Sequence, residues 1–185
     1  MSNPLKRGAS YADLCAVPEN FVAEIIGGEL YTSPRPAIPH AHAASVLGIE
    51  LGGPFHRGRN GPGGWVLLDE PELHFGDDVL VPDLAGWRRE RMPTVPAAAH
   101  VTLAPDWLCE VLSPATERID RVKKLAVYAR EGVGHVWLVN PVLETLEVLR
   151  LESQRWSLLA EHEGEARVRA EPFDAIELEL GALWK

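Results

Sequence analysis

The pattern of apolar and polar positions predicts a helix, a run of strands, a second helix and a further run of strands. Small and aliphatic residues recur at helical spacing from His40 to about Phe55, which predicts the first helix. A second helix is predicted after Ser113-Pro114, because proline suits a first helical turn, and it should stop at Gly132. Short apolar runs predict strands at 65–69, 72–75, 79–87, 106–113, 135–141, 144–151 and 155–162, before a strand-like tail. This order predicts an α+β (α/β) fold, a mixed central sheet flanked by helices.

The chain before the first helix is predicted to have two parts. Residues 1–20 form an N-terminal arm or a short helix, and 21–185 a single domain without repeats, low-complexity blocks or linkers. Apolar residues surround Gly27-Gly28, which predicts a helix end or a strand, then a turn and a further strand. A proline-rich loop follows.

Composition favours an ordinary globular protein. The chain has 185 residues, of which 46% are apolar and 24% charged, enough for a sizeable core. No run of 18 apolar residues occurs, so we expect no membrane partner, and the start MSNPLKRGAS has no apolar segment of a secretory signal. Cys15 and Cys109 cannot form a disulfide framework or a zinc knuckle, so a reduced, cytoplasmic protein is expected.

The formal net charge of −9 argues against a surface that grips nucleic acid through its overall field. A local basic groove or a bound metal ion can reverse the sign where it matters. The charge therefore disfavours nucleic-acid binding without excluding it.

Two carboxylates interrupt apolar strand faces. Since alternate side chains of a strand share a face, one face of 79–87 carries Val79, Val81, Asp83, Ala85 and Trp87, and one face of 106–113 carries Leu108, Glu110 and Leu112. Pro82 cannot donate to a ladder, so Asp83 should lie at a bulge or a strand edge. Each acid is either hydrogen-bonded to a loop, exposed to solvent, or a ligand of a cation such as Mg²⁺, which takes one or two carboxylates.

The second predicted helix carries Asp120, Lys124 and Tyr128 at spacings that stack them along one side. Lys124 and Lys123 flank opposite edges of its apolar arc, so either could reach a strand carboxylate by extending along the sheet. Spacing alone favours a simpler interpretation, in which Asp120 and Lys124 form an exposed surface pair.

Several motifs in order resemble one known family. They are Glu24 with Gly28-Glu29-Leu30, His40 after the proline-rich loop, Pro82-Asp83, the segment from Glu110 to Thr116 (EVLSPAT), Asp120, Lys124, Tyr128, Gly132-Val133 and Trp137. This string is similar to the Uma-two family, bacterial proteins placed among the restriction-endonuclease-like PD-(D/E)XK nucleases. The resemblance covers roughly residues 20–150.

The resemblance implies a restriction-endonuclease-like core with additional antiparallel strands, and metal-dependent cleavage of DNA with Mg²⁺ or Mn²⁺ as cofactor. Asp83 matches the acid of the Pro-Asp motif and Glu110 the second acid, and both would be metal ligands. The lysine that the superfamily places two residues after the second acid is replaced by Leu112. Lys124 matches the position of a lysine that has migrated to the following helix, where it would assist the attacking water.

The resemblance also assigns auxiliary residues. Asp120 and Tyr128 belong to the helix motif, and Glu24 would be an additional acid. His40 would position substrate or relay a proton, and the alternative is a histidine at a helix start that makes a backbone hydrogen bond. The remaining histidines of interest, His42, His56 and His74, are expected on the surface or in loops, and no ligand spacing supports a zinc site from His40, His42 and His56.

Three functional hypotheses remain. The leading one is a metal-dependent endonuclease acting on DNA; the others are a non-enzymatic binding or assembly module and a hydrolase of smaller phosphorylated substrates. A homodimer is expected if Trp137, Trp156 and Trp184 offer an aromatic surface, but the burial usual for tryptophan favours core positions for all three.

Overall fold

The structure is a computed structural model that describes residues 4–185, so the first three residues of the predicted arm lie outside the described residues. The strands are β1 (Lys6–Arg7), β2 (Phe21–Ile26), β3 (Glu29–Pro34), β4 (Trp65–Asp69), β5 (Leu73–Phe75), β6 (Asp78–Leu80), β7 (Leu84–Arg88), β8 (Trp107–Val111), β9 (His135–Asn140), β10 (Thr145–Glu152), β11 (Arg155–Glu163), β12 (Arg167–Val168) and β13 (Leu178–Glu179). The α-helices are α1 (Tyr11–Cys15), α2 (Ile38–Leu51), α3 (Glu117–Ile119) and α4 (Leu125–Arg130). Two π-helical turns, Gly52–His56 and Asp120–Lys124, and a 3₁₀ turn, Leu180–Leu183, complete the described elements.

The central sheet is mixed, as the sequence predicts. Its strand order is β11-β10-β9-β8-β7-β4, and only the β8–β9 pair is parallel. A parallel pair needs a long crossover, which here is the helical segment 117–130 between the two strands. The second helix therefore lies directly after β8 and returns along the sheet.

The second predicted helix has the expected end and a later start. The hydroxyl groups of Ser113 and Thr116 are hydrogen-bonded to each other, with their oxygens 3.0 Å apart. The helix begins after this pair, at Glu117. Its end is at Arg130, and Gly132 follows with φ of 76°, the left-handed conformation that terminates many helices.

The second sheet is antiparallel and has the order β1-β3-β2-β6-β5. Gly27 and Gly28 connect β2 to β3 with φ of 60° and 72°, the positive values that a two-residue hairpin turn requires. The segment before Gly27-Gly28 is therefore a strand, which confirms one of the two predicted alternatives. The other alternative, a helix that ends at these glycines, is wrong. The described part of the predicted arm is ordered, since β1 pairs with β3 and α1 follows it.

The single strand predicted at 79–87 is wrong. The chain forms β6 in the second sheet and β7 in the central sheet, with Pro82-Asp83 between them. Proline lacks the N–H group that a continuous ladder needs, so the chain changes sheets here instead of forming a bulge. Asp83 consequently lies where the two sheets meet and not on a regular strand face.

Two apolar layers cover the faces of the central sheet. On one face, Ala43, Leu47 and Leu51 of α2 pack with Trp107 and Cys109 of β8. On the other face, Val127 and Tyr128 of α4 pack with Leu108 and Leu112. The alternation along β8 therefore assigns Glu110 to the α4 face.

The three C-terminal tryptophans belong to the core. Trp137 is fully buried, and Trp156 and Trp184 are partly buried against the two apolar layers. Their indole N–H groups donate to backbone carbonyls of Leu125 and Gly164. The core interpretation is confirmed for Trp137, and Trp156 and Trp184 pack against the core while part of each side chain stays exposed.

No helix among the described residues is long and apolar enough to cross a membrane.

Gly86 marks a close approach inside the central sheet. A Cβ atom at this position would lie 2.8 Å from Leu67 Cδ2 and 3.2 Å from Trp107 Cε3. We therefore expect Gly86→Ala to lower the free energy of unfolding by about 1–3 kcal/mol, as overpacking does. Gly53→Ala is the control, because a Cβ there meets nothing within 4 Å. Urea denaturation measures both variants, and equal effects would contradict the packing argument.

Candidate active site

Asp83 is held at the junction of the two sheets. Its Oδ2 accepts a hydrogen bond from the backbone N–H of Val111 at 2.7 Å. Its Oδ1 lies 3.3 Å from Nε2 of His40, which the first turn of α2 brings over the sheet. The carboxylate is thus positioned by β8 on one side and by α2 on the other.

Glu110 is buried in the middle of β8 with 3% of its side chain exposed. Its Oε2 lies 3.1 Å from Nζ of Lys124, and its Oε1 accepts a hydrogen bond from the hydroxyl of Tyr128. Both partners come from the helical segment that follows the strand. The glutamate therefore occupies an apolar face because a lysine and a tyrosine compensate its burial.

Lys124 holds three carboxylates together. Its Nζ lies 2.9 Å from Glu24 Oε1, 3.1 Å from Glu110 Oε2 and 3.2 Å from Asp120 Oδ1. The contact with Glu110 is a hydrogen bond, and those with Glu24 and Asp120 are ion pairs. The expectation of an exposed Asp120–Lys124 pair is wrong, because both side chains are buried.

The two adjacent lysines have different environments. Lys124 has 5% of its side chain exposed, whereas Lys123 has 41% and contacts Glu29 at 3.1 Å. The π-helical turn Asp120–Lys124 lies at this point, and its i→i+5 hydrogen bonds add a residue to one turn. A uniform α-helical periodicity places both lysines beside the apolar arc, and the π turn directs only Lys124 inward.

Glu24 brings the second sheet into the cluster. It lies in β2, and its Oε1 accepts the backbone N–H of Val81 at 2.8 Å besides contacting Lys124. Val81 is the residue next to the Pro82-Asp83 junction. One carboxylate therefore fixes both the lysine and the segment that carries Asp83.

Burial raises the pKa of all three strand-associated acids. Burial raises the pKa of Glu110 well above its usual value, although the charge of Lys124 opposes this. Burial likewise raises the pKa of Glu24, again against Lys124. Burial raises the pKa of Asp83 to about 6, with His40 and the Val111 N–H opposing the change. Burial is the main cause of all three shifts, because removal from water disfavours the ionised form of a carboxyl group.

The pKa of Lys124 moves upward. Burial alone would lower this pKa, but Glu110, Glu24 and Asp120 outweigh it and hold the pKa well above its ordinary value. Burial and the neighbouring Glu110 also raise the pKa of Tyr128. Both groups stay protonated near neutral pH, so Lys124 donates hydrogen bonds and does not remove protons from water.

A cavity of about 320 Å³ opens onto this cluster. Its ionisable lining includes Glu24, His40, Asp83, Glu110, Asp120 and Lys124. The structure therefore brings together the residues that the sequence singled out, and Tyr128 supports them from behind Glu110. Arg35, Ser113 and Thr116 also line the cavity. Sequence reasoning did not assign them to the site, and the only signal for Arg35 is its position between two prolines.

His40 makes no backbone hydrogen bond at the helix start. Its Nδ1 is buried without a hydrogen-bond partner among the described residues, and its Nε2 faces Asp83. The backbone-bond alternative is wrong, and the ring is oriented instead by the carboxylate.

The other histidines lie apart from this cavity. Nδ1 of His56 accepts the N–H of Leu67, and Nε2 of His42 lies 3.2 Å from the carbonyl of Ala182. His74, expected on the surface or in a loop, is partly buried in strand β5. Among the described residues 4–185, one group of side chains has three potential metal donors within 4.8 Å of one another, and it contains none of these histidines. A zinc site from His40, His42 and His56 therefore does not form.

The cavity suits a hard divalent cation. The carboxylates of Glu24, Glu110 and Asp120 contact a single buried ammonium group, and that of Asp83 lines the same cavity. Their donors are oxygen atoms, which Mg²⁺ and Mn²⁺ prefer, and Mg²⁺ needs only one or two protein carboxylates. The excess of acids over Lys124 is the observation that fits a cation here.

Comparisons with known proteins bear on the family and on the fold. Residues 9–181 match the Uma2 family, described as "Putative restriction endonuclease". No curated protein matches the chain. Solved structures match the chain, among them the crystal structure of "a putative nuclease belonging to DUF820" from Anabaena variabilis. The two sequences are 24% identical and the TM-score is 0.75. The match covers 95% of this chain and 97% of that chain. The predicted resemblance and the predicted α+β fold are confirmed.

Removing the buried ammonium should be costly. We expect Lys124→Met to lower the free energy of unfolding by about 3 kcal/mol at neutral pH, because it leaves buried acids unpaired. The loss should shrink at lower pH, where these carboxyl groups take up protons. Lys123→Met, on the exposed side of the same turn, should change stability by less than about 0.5 kcal/mol. Chemical denaturation of both variants distinguishes them, and equal losses would show that Lys124 does not balance the acids.

The raised pKa of Asp83 makes stability depend on pH. The folded protein holds this proton more tightly than the unfolded chain, so the contribution to stability is present below about pH 4 and is lost as pH rises through about 6. We therefore compare the free energies of unfolding of the parent and of Asp83→Asn, both measured in EDTA. The parent's value minus the variant's value should fall by up to about 3 kcal/mol from pH 4 to pH 7. A pH-independent difference, measured by urea denaturation, would contradict the assignment.

Proposed function

Since this chain belongs to the Uma2 family, described as "Putative restriction endonuclease", we propose that it is a metal-dependent endonuclease that hydrolyses phosphodiester bonds in DNA. The observation that carries the proposal is the lysine-centred group of buried carboxylates beside Asp83, which lines an open cavity. Strongly perturbed acids in a cleft are typical of catalytic sites.

Asp83 and Glu110 would hold the Mg²⁺ or Mn²⁺ ion. When bound, such an ion lowers the pKa of water and neutralises charge on a phosphoryl oxygen. Asp83 is oriented for this by the Val111 N–H, and Glu110 by Lys124 and Tyr128. The two acids come from adjacent strands of the central sheet, since Asp83 directly precedes β7 and β7 pairs with β8.

Lys124 would act as a hydrogen-bond donor. Its raised pKa keeps it charged, so it can orient the attacking water and stabilise negative charge on the transferring phosphate, but it cannot serve as the base. Glu24 and Asp120 keep its ammonium group in place. His40, which faces Asp83 and lines the cavity, is the candidate proton relay.

DNA is favoured as the substrate by a local concentration of arginines in an otherwise acidic chain. Exposed arginines lie in the glycine-rich loop after α2 and at the end of β7: Arg57, Arg59, Arg88, Arg89 and Arg91. The guanidinium of Arg89 donates to the carbonyl of Trp65 at 3.0 Å, which joins these two segments. β7 begins at Leu84, next to Asp83, and ends at Arg88. At about 3.3 Å per strand residue, the arginines therefore begin about 16 Å from Asp83. This distance corresponds to about five base-pair rises of duplex DNA.

A homodimer and a cytoplasmic location stay predictions from the sequence. The aromatic support for a dimer is weakened, because Trp137 is buried and Trp156 and Trp184 are partly buried against the core.

Cleavage assays test the proposed activity. Supercoiled plasmid and oligonucleotides incubated with Mg²⁺ or Mn²⁺ should be cut by the parent protein and not by Asp83→Asn or Glu110→Gln. We expect Lys124→Ala to lower the rate by about 10²-fold, the size of effect seen when one electrostatic stabiliser is removed. Lys123→Ala should cleave at the parental rate, because its ammonium points to Glu29 outside the cavity.

Circular dichroism at the assay temperature separates lost activity from lost folding, which matters most for Lys124→Ala. Cleavage that persists in both acid variants would overturn the catalytic assignment. Hydrolysis of nucleotides but not of DNA would favour a phosphohydrolase. Absence of any cleavage, together with Mn²⁺ binding that does not depend on Asp83 or Glu110, would favour a binding or assembly module.

A further inference from the structure

A second group of possible metal ligands lies outside the candidate active site. Glu72 directly precedes β5, His74 lies within it, and His100 lies in the second half of the segment 89–106 between β7 and β8. One donor atom from each of these residues comes within 4.8 Å of the others. All three side chains are partly buried, so they are both held by the fold and open to solvent.

Backbone hydrogen bonds fix the positions from which these side chains project. The N–H of His74 donates to the carbonyl of Val101 at 2.9 Å, and the N–H of Val101 donates to the carbonyl of Glu72 at 2.9 Å. His100 is therefore attached to β5 through its immediate neighbour. The convergence of the three donors follows from this short bridge and does not depend on flexible side chains finding one another.

The carboxylate has an outer partner of the kind that surrounds bound metal ions. Oε1 of Glu72 accepts a hydrogen bond from the hydroxyl of Tyr11 at 2.8 Å and lies 2.7 Å from Nε2 of His74. The ring of Tyr11 also packs edge-on against His74, with centroids 4.9 Å apart. Partners that orient a metal ligand in this way strengthen a site.

We propose that Glu72, His74 and His100 bind a Zn²⁺-class transition-metal ion, with water in the remaining position. Two imidazoles and one carboxylate are a ligand set that suits Zn²⁺, whereas Mg²⁺ and Ca²⁺ prefer oxygen donors alone. The exposed thiol of Cys15 interacts with Tyr11 but is not one of the three converging donors, so it is not assigned as a ligand.

Two adjustments accompany binding. The rings of His74 and His100 are stacked, with centroids 3.9 Å apart and planes 17° from parallel. A metal ion accepts each imidazole lone pair in the plane of its ring, so one ring rotates out of the stack. The hydrogen bond between His74 Nε2 and Glu72 is given up if this nitrogen coordinates, because a coordinating imidazole nitrogen carries no proton.

The bound ion would connect three parts of the chain. Residues 93–99, just before His100, are exposed, and α1 reaches the same place through Tyr11. An ion on Glu72, His74 and His100 would fix the end of this exposed segment to the second sheet. Binding to the folded chain alone stabilises it by mass action, so the site would contribute to stability independently of catalysis.

Zinc titration tests this site. The experiment uses the full chain with Cys15→Ser, so that the exposed thiol cannot bind zinc, and competition with a chromophoric chelator. We expect one Zn²⁺ per chain, at least tenfold weaker binding in His74→Ala and in His100→Ala, and a rise in Tm with zinc that these variants lack. His162→Ala, which removes a partly buried histidine of β11, is the matched control and should bind as the parent does.

Three further measurements decide between the sites. The double variant Asp83→Asn, Glu110→Gln should keep the zinc affinity, and a large excess of Mg²⁺ should not displace the zinc. Protection of residues 93–100 from hydrogen exchange should increase with zinc in the parent and not in His100→Ala. Equal zinc affinity in the parent and both histidine variants, or loss of binding only in the acid double variant, would overturn the proposal.

Discussion

The burial of Lys124 among Glu24, Glu110 and Asp120 is the constraint on which the site depends. Each charge alone would be expensive to remove from water, and each is tolerated because the others are present. The three acids come from β2, β8 and the π-helical turn, so one ammonium group connects the second sheet, the central sheet and the crossover helix. Packing of these elements and assembly of the site are therefore the same event.

Two irregularities of the backbone make this arrangement possible. Pro82 ends one ladder, so the chain passes from β6 to β7 and leaves Asp83 at the junction, where α2 can bring His40 to it. The π-helical turn separates Lys124 from Lys123 and directs the first inward. Departures from regular structure often occur at functional sites, where they aim a side chain that a regular element would place elsewhere.

The charge distribution explains how an acidic chain can be compatible with a nucleic-acid substrate. The carboxylates of the cavity outnumber its single lysine, which suits a cation, and burial raises the pKa of Asp83 to about 6. The arginines beyond it lie at the other end of β7 and in the adjoining loop. The net charge of −9 is an average over surfaces with different signs and does not describe the cavity or its approaches.

The sequence by itself determined the elements, the mixed sheet and the chemical identities of the site. Strand alternation and the glycines at 27, 28 and 132 act through local backbone geometry, and the acids Asp83 and Glu110 stand out because they interrupt apolar runs. Only the tertiary structure decided that the strand at 79–87 is divided between two sheets, that Asp120 and Lys124 are buried and that His74 approaches His100. Those outcomes depend on which distant segments meet: Glu24 reaches Lys124 across 100 positions of sequence, and Val101 pairs with the Glu72–His74 segment through backbone hydrogen bonds. Local pattern carries no information about such encounters, because the energy of burying a charge is set by the partners that folding supplies.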